Sequence, residues 1–222
     1  VNLTVLRDAD AIARAAAHRI LESMETAPQR FAIGLAGGST PQRLYKLLAS
    51  DEYRDRITWS RWHVFFNDER RVPLDDPRSN HFNARTALLD HVPIPASQIH
   101  PLTDADQYEA LLRAFFGERP DADLQLLGMG EDGHTASLFP GSVALLETER
   151  WVMAPPDVVQ GMARLTWTIP ALNAARRKLF LVSGESKREA LARIRAGEPL
   201  PAGMIDGAEW LVDRAAAGQP IE

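Results

Sequence analysis

Hydrophobic positions along this chain follow two different periods. Over residues 8–24, Ile12, Ala15, Ala16, Ile20 and Met24 recur at three-to-four-residue spacing, which predicts an amphipathic helix opened by Asp8 as its cap. Residues 31–36 then form an unbroken apolar run of strand length. Gly37-Gly38-Ser39-Thr40-Pro41 follows it, and a second helical spacing runs through Leu44, Leu47 and Leu48. The order is strand, glycine turn, helix.

That unit recurs. Residues 62–66 read as a strand leading into a polar loop, and Leu88, Leu89 and Val92 lie near the end of the helix that follows. Residues 104–116 predict a helix, and 123–129, 151–154, 162–169 and 178–183 predict strands. A helix over 186–196 and a last strand over 210–212 complete the pattern. Strands alternating with helices predict an α/β fold: a mostly parallel, Rossmann-like sheet with helices on both faces. In such sheets ligands sit beyond the carboxyl ends of the strands. The loops after Ala36, Phe66, Met129 and Ser183 are therefore where chemistry is expected.

Fifteen prolines and fourteen glycines are dispersed rather than clustered, and no solenoid-type repeat is visible, so residues 1–222 are expected to form a single domain. With no cysteine there is neither a disulfide frame nor a thiolate ligand or nucleophile. The opening Val-Asn-Leu-Thr-Val-Leu-Arg-Asp lacks the basic-then-apolar layout of a signal peptide, which points to the cytoplasm. The apolar runs fall far short of the ~20 residues that cross a bilayer, so no membrane role is expected. A net charge of −5 argues against nucleic acid as a partner, because binding a phosphate backbone needs an extended basic face. A small anion needs only a few cations at one place.

The turn Gly37-Gly38-Ser39-Thr40-Pro41 hands a strand over to a helix, so free N–H groups and the positive helix end would favour a phosphate there. An ordinary capped turn has the same spacing. It is not a Walker loop, because the Gly-Lys-Ser/Thr ending is absent. Asn67-Asp68-Glu69-Arg70-Arg71 stands directly after an apolar strand, where an arginine can bind an anion and a carboxylate can orient a catalytic group; a solvated charged loop is the alternative.

Gly128, Gly130 and Gly133 spell a dinucleotide-type fingerprint, but Phe139-Pro140-Gly141 interrupts the long helix which that reading requires. In the same loop Asp132 and His134 look like a base and its neighbour. An imidazole with an ordinary pKa near ~6.5 can take a proton from water, and a carboxylate beside it can fix its tautomer. His18, His63, His81, His91 and His100 lack such settings and read as surface or packing residues. No His-Glu-x-x-His pattern occurs, and no catalytic metal is expected. Lys187, early in a helix after a strand and turn, can bring a positive charge to a phosphate, and Arg164, inside a strand, must face either solvent or a site.

Together these segments resemble the 6-phosphogluconolactonase family, within the wider group of glucosamine-6-phosphate isomerase-like folds. The matching stretches are Gly37-Gly38-Ser39-Thr40-Pro41, the run from Asn67 through Pro73 with Ser79-Asn80, the run from Gly128 through Gly141, Arg164-Leu165-Thr166, and Gly184-Glu185-Ser186-Lys187. They span nearly the whole chain in family order.

The resemblance implies that His134 is a general base on water with Asp132 oriented beside it. It also implies that Arg70 and Arg164 bind substrate and that Gly38, Ser39, Thr40 and Lys187 hold a phosphate. Asp68 and Glu69 occupy the family's acidic positions and are implied to bind substrate. The substrate implied is a phosphorylated sugar lactone, and no cofactor is needed. Two rivals share the fold. An isomerase/deaminase would carry a glutamate where this chain has Phe139, and a sugar-phosphate sensing module would carry a DNA-binding segment, whereas this chain is expected to begin with its first helix. Trp167 is bulkier than the aliphatic residue expected at its place and bears on the wall of the pocket.

Overall fold

The computed structural model describes residues 2–27 and 29–220. Among them, six strands form one parallel sheet: β1 (Asn2–Leu6), β2 (Phe31–Leu35), β3 (Trp62–Phe66), β5 (Leu124–Leu127), β8 (Lys178–Val182) and β9 (Glu209–Asp213). They stand in the order β1-β9-β8-β5-β2-β3. The central strands β2 and β5 are buried at every position, which is why they read as continuous apolar runs rather than as alternating ones. Between the adjacent strands β8 and β9, Phe180 and Trp210 pair in register with rings stacked 3.9 Å apart.

Helix α1 (Ala9–Thr26) starts where Asp8 accepts a 2.9 Å hydrogen bond from Ala11 N–H. It buries Ile12, Ala13, Ala16, Ala17, Ile20 and Met24, and packs on α2 (Ser39–Leu48) and on β8 and β9. Small residues on its inner face allow that close approach. Helices α3 (Asn80–Ala87), α4 (Ala105–Phe116) and α6 (Arg188–Arg195) follow the expected places, and α4 is capped by Asp104. The short helices α5 (Ile169–Asn173) and α7 (Arg214–Ala217) were not expected.

Three features depart from the sequence reading. Strand β1 precedes the first helix; it is a half-exposed edge strand without an apolar run to announce it. The charged segment after Phe66 is not a loop but strand β4 (Asp68–Arg70). With β6 (Val152–Met153) and β7 (Arg164–Trp167) it makes a separate antiparallel sheet in the order β4-β7-β6, so these strands do not extend the parallel one. No helix of the described residues is long and apolar enough to cross a membrane.

The outer side of β3 is covered by the segment around Ile99, which bridges to Val64, with His100 N–H bonding to Val64 O at 2.9 Å. This brings His63 Nδ1 to 3.4 Å from His100 Nε2, among Phe65, Phe115 and the Gln98 amide, while Arg30 lies over the Phe115 ring. Burial, then the His63 neighbour, depresses His100 to about 4; burial, then Arg30, also lowers His63. Unfolded, His100 takes its proton near the ordinary 6.5, whereas folded it does so only near 4. This contribution to stability is therefore complete above that ordinary value and is lost as pH falls towards the folded one. Thermal melts from pH 7 down to 4.5 should show a steep loss of Tm, and His100→Gln should flatten that slope; an equal slope in both proteins would remove the histidine pair as its cause.

Candidate functional site

The loops at the carboxyl ends of β2, β3, β5 and β8 meet in one cleft. It has two lobes of about 210 and 440 Å³ that share Asp68, Arg70, Gly130, His134, Ala136 and Lys187. A smaller recess of about 130 Å³ opens beside them, between the glycine turn at the start of α2 and Lys187.

Strand pairing decides which side chains reach the cleft. In the β4–β7 ladder Asp68 faces Thr166, Glu69 faces Leu165 and Arg70 faces Arg164. Alternation sends Asp68, Arg70, Arg164 and Thr166 to one side and Glu69, Leu165 and Trp167 to the other. Two guanidinium groups thus stand opposite each other on the cleft side, which is unfavourable without an anion between them. Burial first, and Arg70 second, push the Arg164 pKa down, and the Nε atoms of both arginines are buried without a partner among the described residues. Asp68 offsets part of this charge. Its Oδ1 accepts from Asn80 Nδ2 at 2.9 Å and its Oδ2 from Ser137 Oγ at 2.7 Å.

Glu69 does not line the cleft, contrary to the expectation that it binds substrate. Only 2% exposed, it accepts from the N–H groups of Arg70, Asn80 and His81 at 2.7–2.8 Å and from Ser79 Oγ at 2.9 Å. Burial pushes its carboxyl up, against the pull of these four donors. The group secures the N-terminus of α3 and so holds Asn80 against Asp68. Trp167 is likewise absent from the pocket wall: it is fully buried and meets Phe65 edge to face at 6.4 Å.

In the loop after β5, His134 Nδ1 lies 2.6 Å from Asp132 Oδ1, which also accepts from the His134 backbone N–H at 3.1 Å. Burial pushes the Asp132 carboxyl up, but the two His134 contacts outweigh it and hold the pKa below its usual value. With its proton on Nδ1, directed at Asp132, the imidazole keeps Nε2 as an acceptor. A Cβ on Gly130 would come 2.0 Å from His134 Nδ1, so glycine is needed there for room. Phe139 packs on the imidazole at 4.5 Å, and Ala136, at φ +49, turns the chain sharply between Thr135 and Leu138.

Helix α2 starts after Gly38, whose φ of +106 suits glycine, and no side chain caps it. Ser39 and Thr40 line the recess at this helix end together with Lys187. His134, Asp132, Arg70, Asp68, Arg164, Gly38 and Lys187 all line the cleft itself. Sequence reasoning did not single out Asn80, Ser137, Val159 and Gln160 for the cleft; Asn80 and Ser137 carried a signal only as parts of matching stretches, and Val159 and Gln160 carried none.

A polar cleft of this kind, with a carboxylate-bound imidazole, two facing guanidinium groups and an uncapped helix end, suits a substrate that carries both an anion and a hydrolysable bond. The profile of the family described as glucosamine-6-phosphate isomerases/6-phosphogluconolactonase matches residues 7–212. The chain belongs to this family. A 6-phosphogluconolactonase of Nostoc sp. is 40% identical over 240 residues, covering 98% of each chain. That of Mycobacterium leprae is 36% identical, again covering 98% of each. Among solved structures, 6-phosphogluconolactonase from Trypanosoma cruzi superimposes with a TM-score of 0.85 at 28% identity, covering 98% of this chain and 96% of that one. A monomeric glucosamine-6-phosphate deaminase shares the fold, with a TM-score of 0.83 at 24% identity.

Replacing Glu69 with leucine would leave three N–H groups and a hydroxyl without their acceptor, at about 1–3 kcal/mol for each buried group. Glu69→Leu should lower the unfolding free energy in urea by about 3 kcal/mol or more. A variant as stable as the parent would contradict the structural role given to this carboxylate.

Proposed function

We propose that this chain hydrolyses 6-phospho-D-glucono-1,5-lactone to 6-phospho-D-gluconate, with His134 as general base on water. The observation that carries the base assignment is the 2.6 Å contact of His134 Nδ1 with Asp132 in the cleft that also holds Arg70, Arg164 and Lys187. The activity is the one named for relatives at 36–40% identity over 98% of this chain.

In this reading the substrate is held at two ends. Its phosphate lies at the N-terminus of α2, where Gly38, Ser39 and Thr40 offer backbone donors and Lys187 adds a positive charge. Its lactone ring lies between His134 and the arginine pair. Water attacks C1 while His134 Nε2 takes its proton, and charge develops on the former carbonyl oxygen. Arg70 faces that charge, and Arg164 and Asp68 orient the ring. As the bond from C1 to the ring oxygen breaks, the proton passes from His134 to that oxygen, which becomes the C5 hydroxyl, and the new acid ionises in water. Phe139, packed on the imidazole, has no proton to exchange and offers no help to an isomerase. A single domain and a cytoplasmic location belong to the same proposal; one continuous hydrophobic core supports the former.

Loss of freshly made lactone, followed against its spontaneous hydrolysis with glucosamine-6-phosphate tested in parallel, examines the reading directly. Clear acceleration of the first and none of the second is expected, and the reverse would overturn it. His134→Ala should lower turnover by ~10²-fold or more, the usual scale for a lost general base. Lys187→Ala should chiefly raise KM, and an unchanged KM would remove it from the phosphate subsite.

A further inference from the structure

Beneath the cleft lies a cluster of buried amides that the mechanism does not use. Asn67 is 1% exposed and sits at the changeover from β3 to β4, directly before Asp68. Its N–H bonds to Leu35 O at 3.1 Å, its carbonyl accepts from Trp167 N–H at 2.8 Å, and its Nδ2 donates to Leu126 O at 2.8 Å. These partners are the roots of the three walls of the cleft. Leu35 precedes the glycine turn, Leu126 precedes the loop carrying His134, and Trp167 lies in the strand carrying Arg164.

One polar atom of this residue, Oδ1, has no partner among the described residues, and neither amide atom of Gln125, which is fully buried, has one. The two side chains converge on the same space. A Cβ on Gly34 would lie 1.6 Å from Gln125 Oε1 and 2.2 Å from Asn67 Oδ1, so the volume they share is the one glycine leaves open in the middle of β2. A carboxamide keeps its shape when its oxygen and nitrogen exchange places. Turned so that Nε2 faces Asn67, Gln125 donates to Oδ1 and completes the hydrogen-bond set of Asn67. Apolar side chains would fill this volume without the desolvation cost of amides, so the pair supplies direction rather than bulk.

We propose that Gln125 and Asn67 form a buried amide pair, seated over Gly34, that positions Asp68 and Arg70 for the lactonase reaction. Neither residue touches substrate. Asn80 holds Asp68 at its carboxylate and its carbonyl, Ser137 holds it at its carboxylate, and the amide pair holds the residue directly before it. The inference rests on the lactonase reading, and the parent chain separates the two. If it fails to accelerate lactone loss, the function is wrong whatever the pair does.

Given that acceleration, Gln125→Leu should lower kcat about tenfold with KM changed less than twofold, the scale on which a small misplacement acts. A role in packing alone would lower Tm and leave the turnover of the folded enzyme intact. Gln125→Met refills the space with an apolar side chain of similar length and no amide. It should melt above Gln125→Ala yet keep the low kcat, and recovery of parental turnover would overturn the proposal. Side-chain amide NMR of the parent needs no variant. The Gln125 Nε2 protons should exchange slowly and show proximity to Asn67, and exchange as fast as that of exposed glutamines would overturn the pairing.

Discussion

The whole site hangs on the changeover between two sheets at a single residue. Up to Phe66 the chain pairs in parallel with β2, and from Asp68 it pairs antiparallel with β7. Asn67 takes part in both through its backbone and reaches β5 through its side chain. Because side chains alternate along a strand, fixing this one residue decides the direction of the next three. Asp68 and Arg70 go to the cleft and Glu69 goes to α3. A slip of one position would bury two charges on the wrong side and expose the group that secures the helix.

The electrostatics of the cleft follow from the same ladder rather than from the overall charge. The chain carries a net −5, yet Arg70 and Arg164 are opposed on one face and Lys187 closes the far side. Asp68, Glu131 and Asp132 equal these three cations in number, so the positive charge is concentrated where the arginines face each other, with Arg164 buried, rather than spread over the cleft. There an anion is held more strongly than the same cations would hold it on an open surface. The antiparallel sheet, which also gives Val152, Leu165 and Trp167 to the core, is thus what sets two opposed guanidinium groups beside a common α/β scaffold.

What was legible in the sequence depended on burial. β2, β5 and β8 are enclosed by other elements, so their apolar runs announced them, and the loops at their carboxyl ends proved to be the walls of the cleft. β4 was illegible because all three of its residues are charged, and nothing local distinguishes such a strand from a solvated loop. The misplacement of Glu69 follows directly. Without the strand there is no alternation, and without alternation Asp68 and Glu69 are equivalent acids. The expectation for Trp167 failed differently: its strand was expected, but three positions beyond Arg164 alternation turns its side chain to the opposite, buried face. β1, half exposed at an edge, carried no run of buried residues to reveal it.

The glycine pattern of the loop after β5 carries a different lesson. Gly128, Gly130 and Gly133 have the spacing of a dinucleotide fingerprint, in which one glycine lets the backbone approach a pyrophosphate. Here Gly130 makes room for the His134 imidazole, which lies where a side chain would otherwise be. The loop then folds back on itself, with Gly130 N–H bonded to His134 O at 2.8 Å, and no helix begins at the third glycine. Without a helix end in line, the loop has no dipole to offer a pyrophosphate, and its close approach is spent on the imidazole. The same three glycines therefore serve opposite chemistries, and what separates them is whether the chain after the third one continues as a helix or turns back towards Asp132.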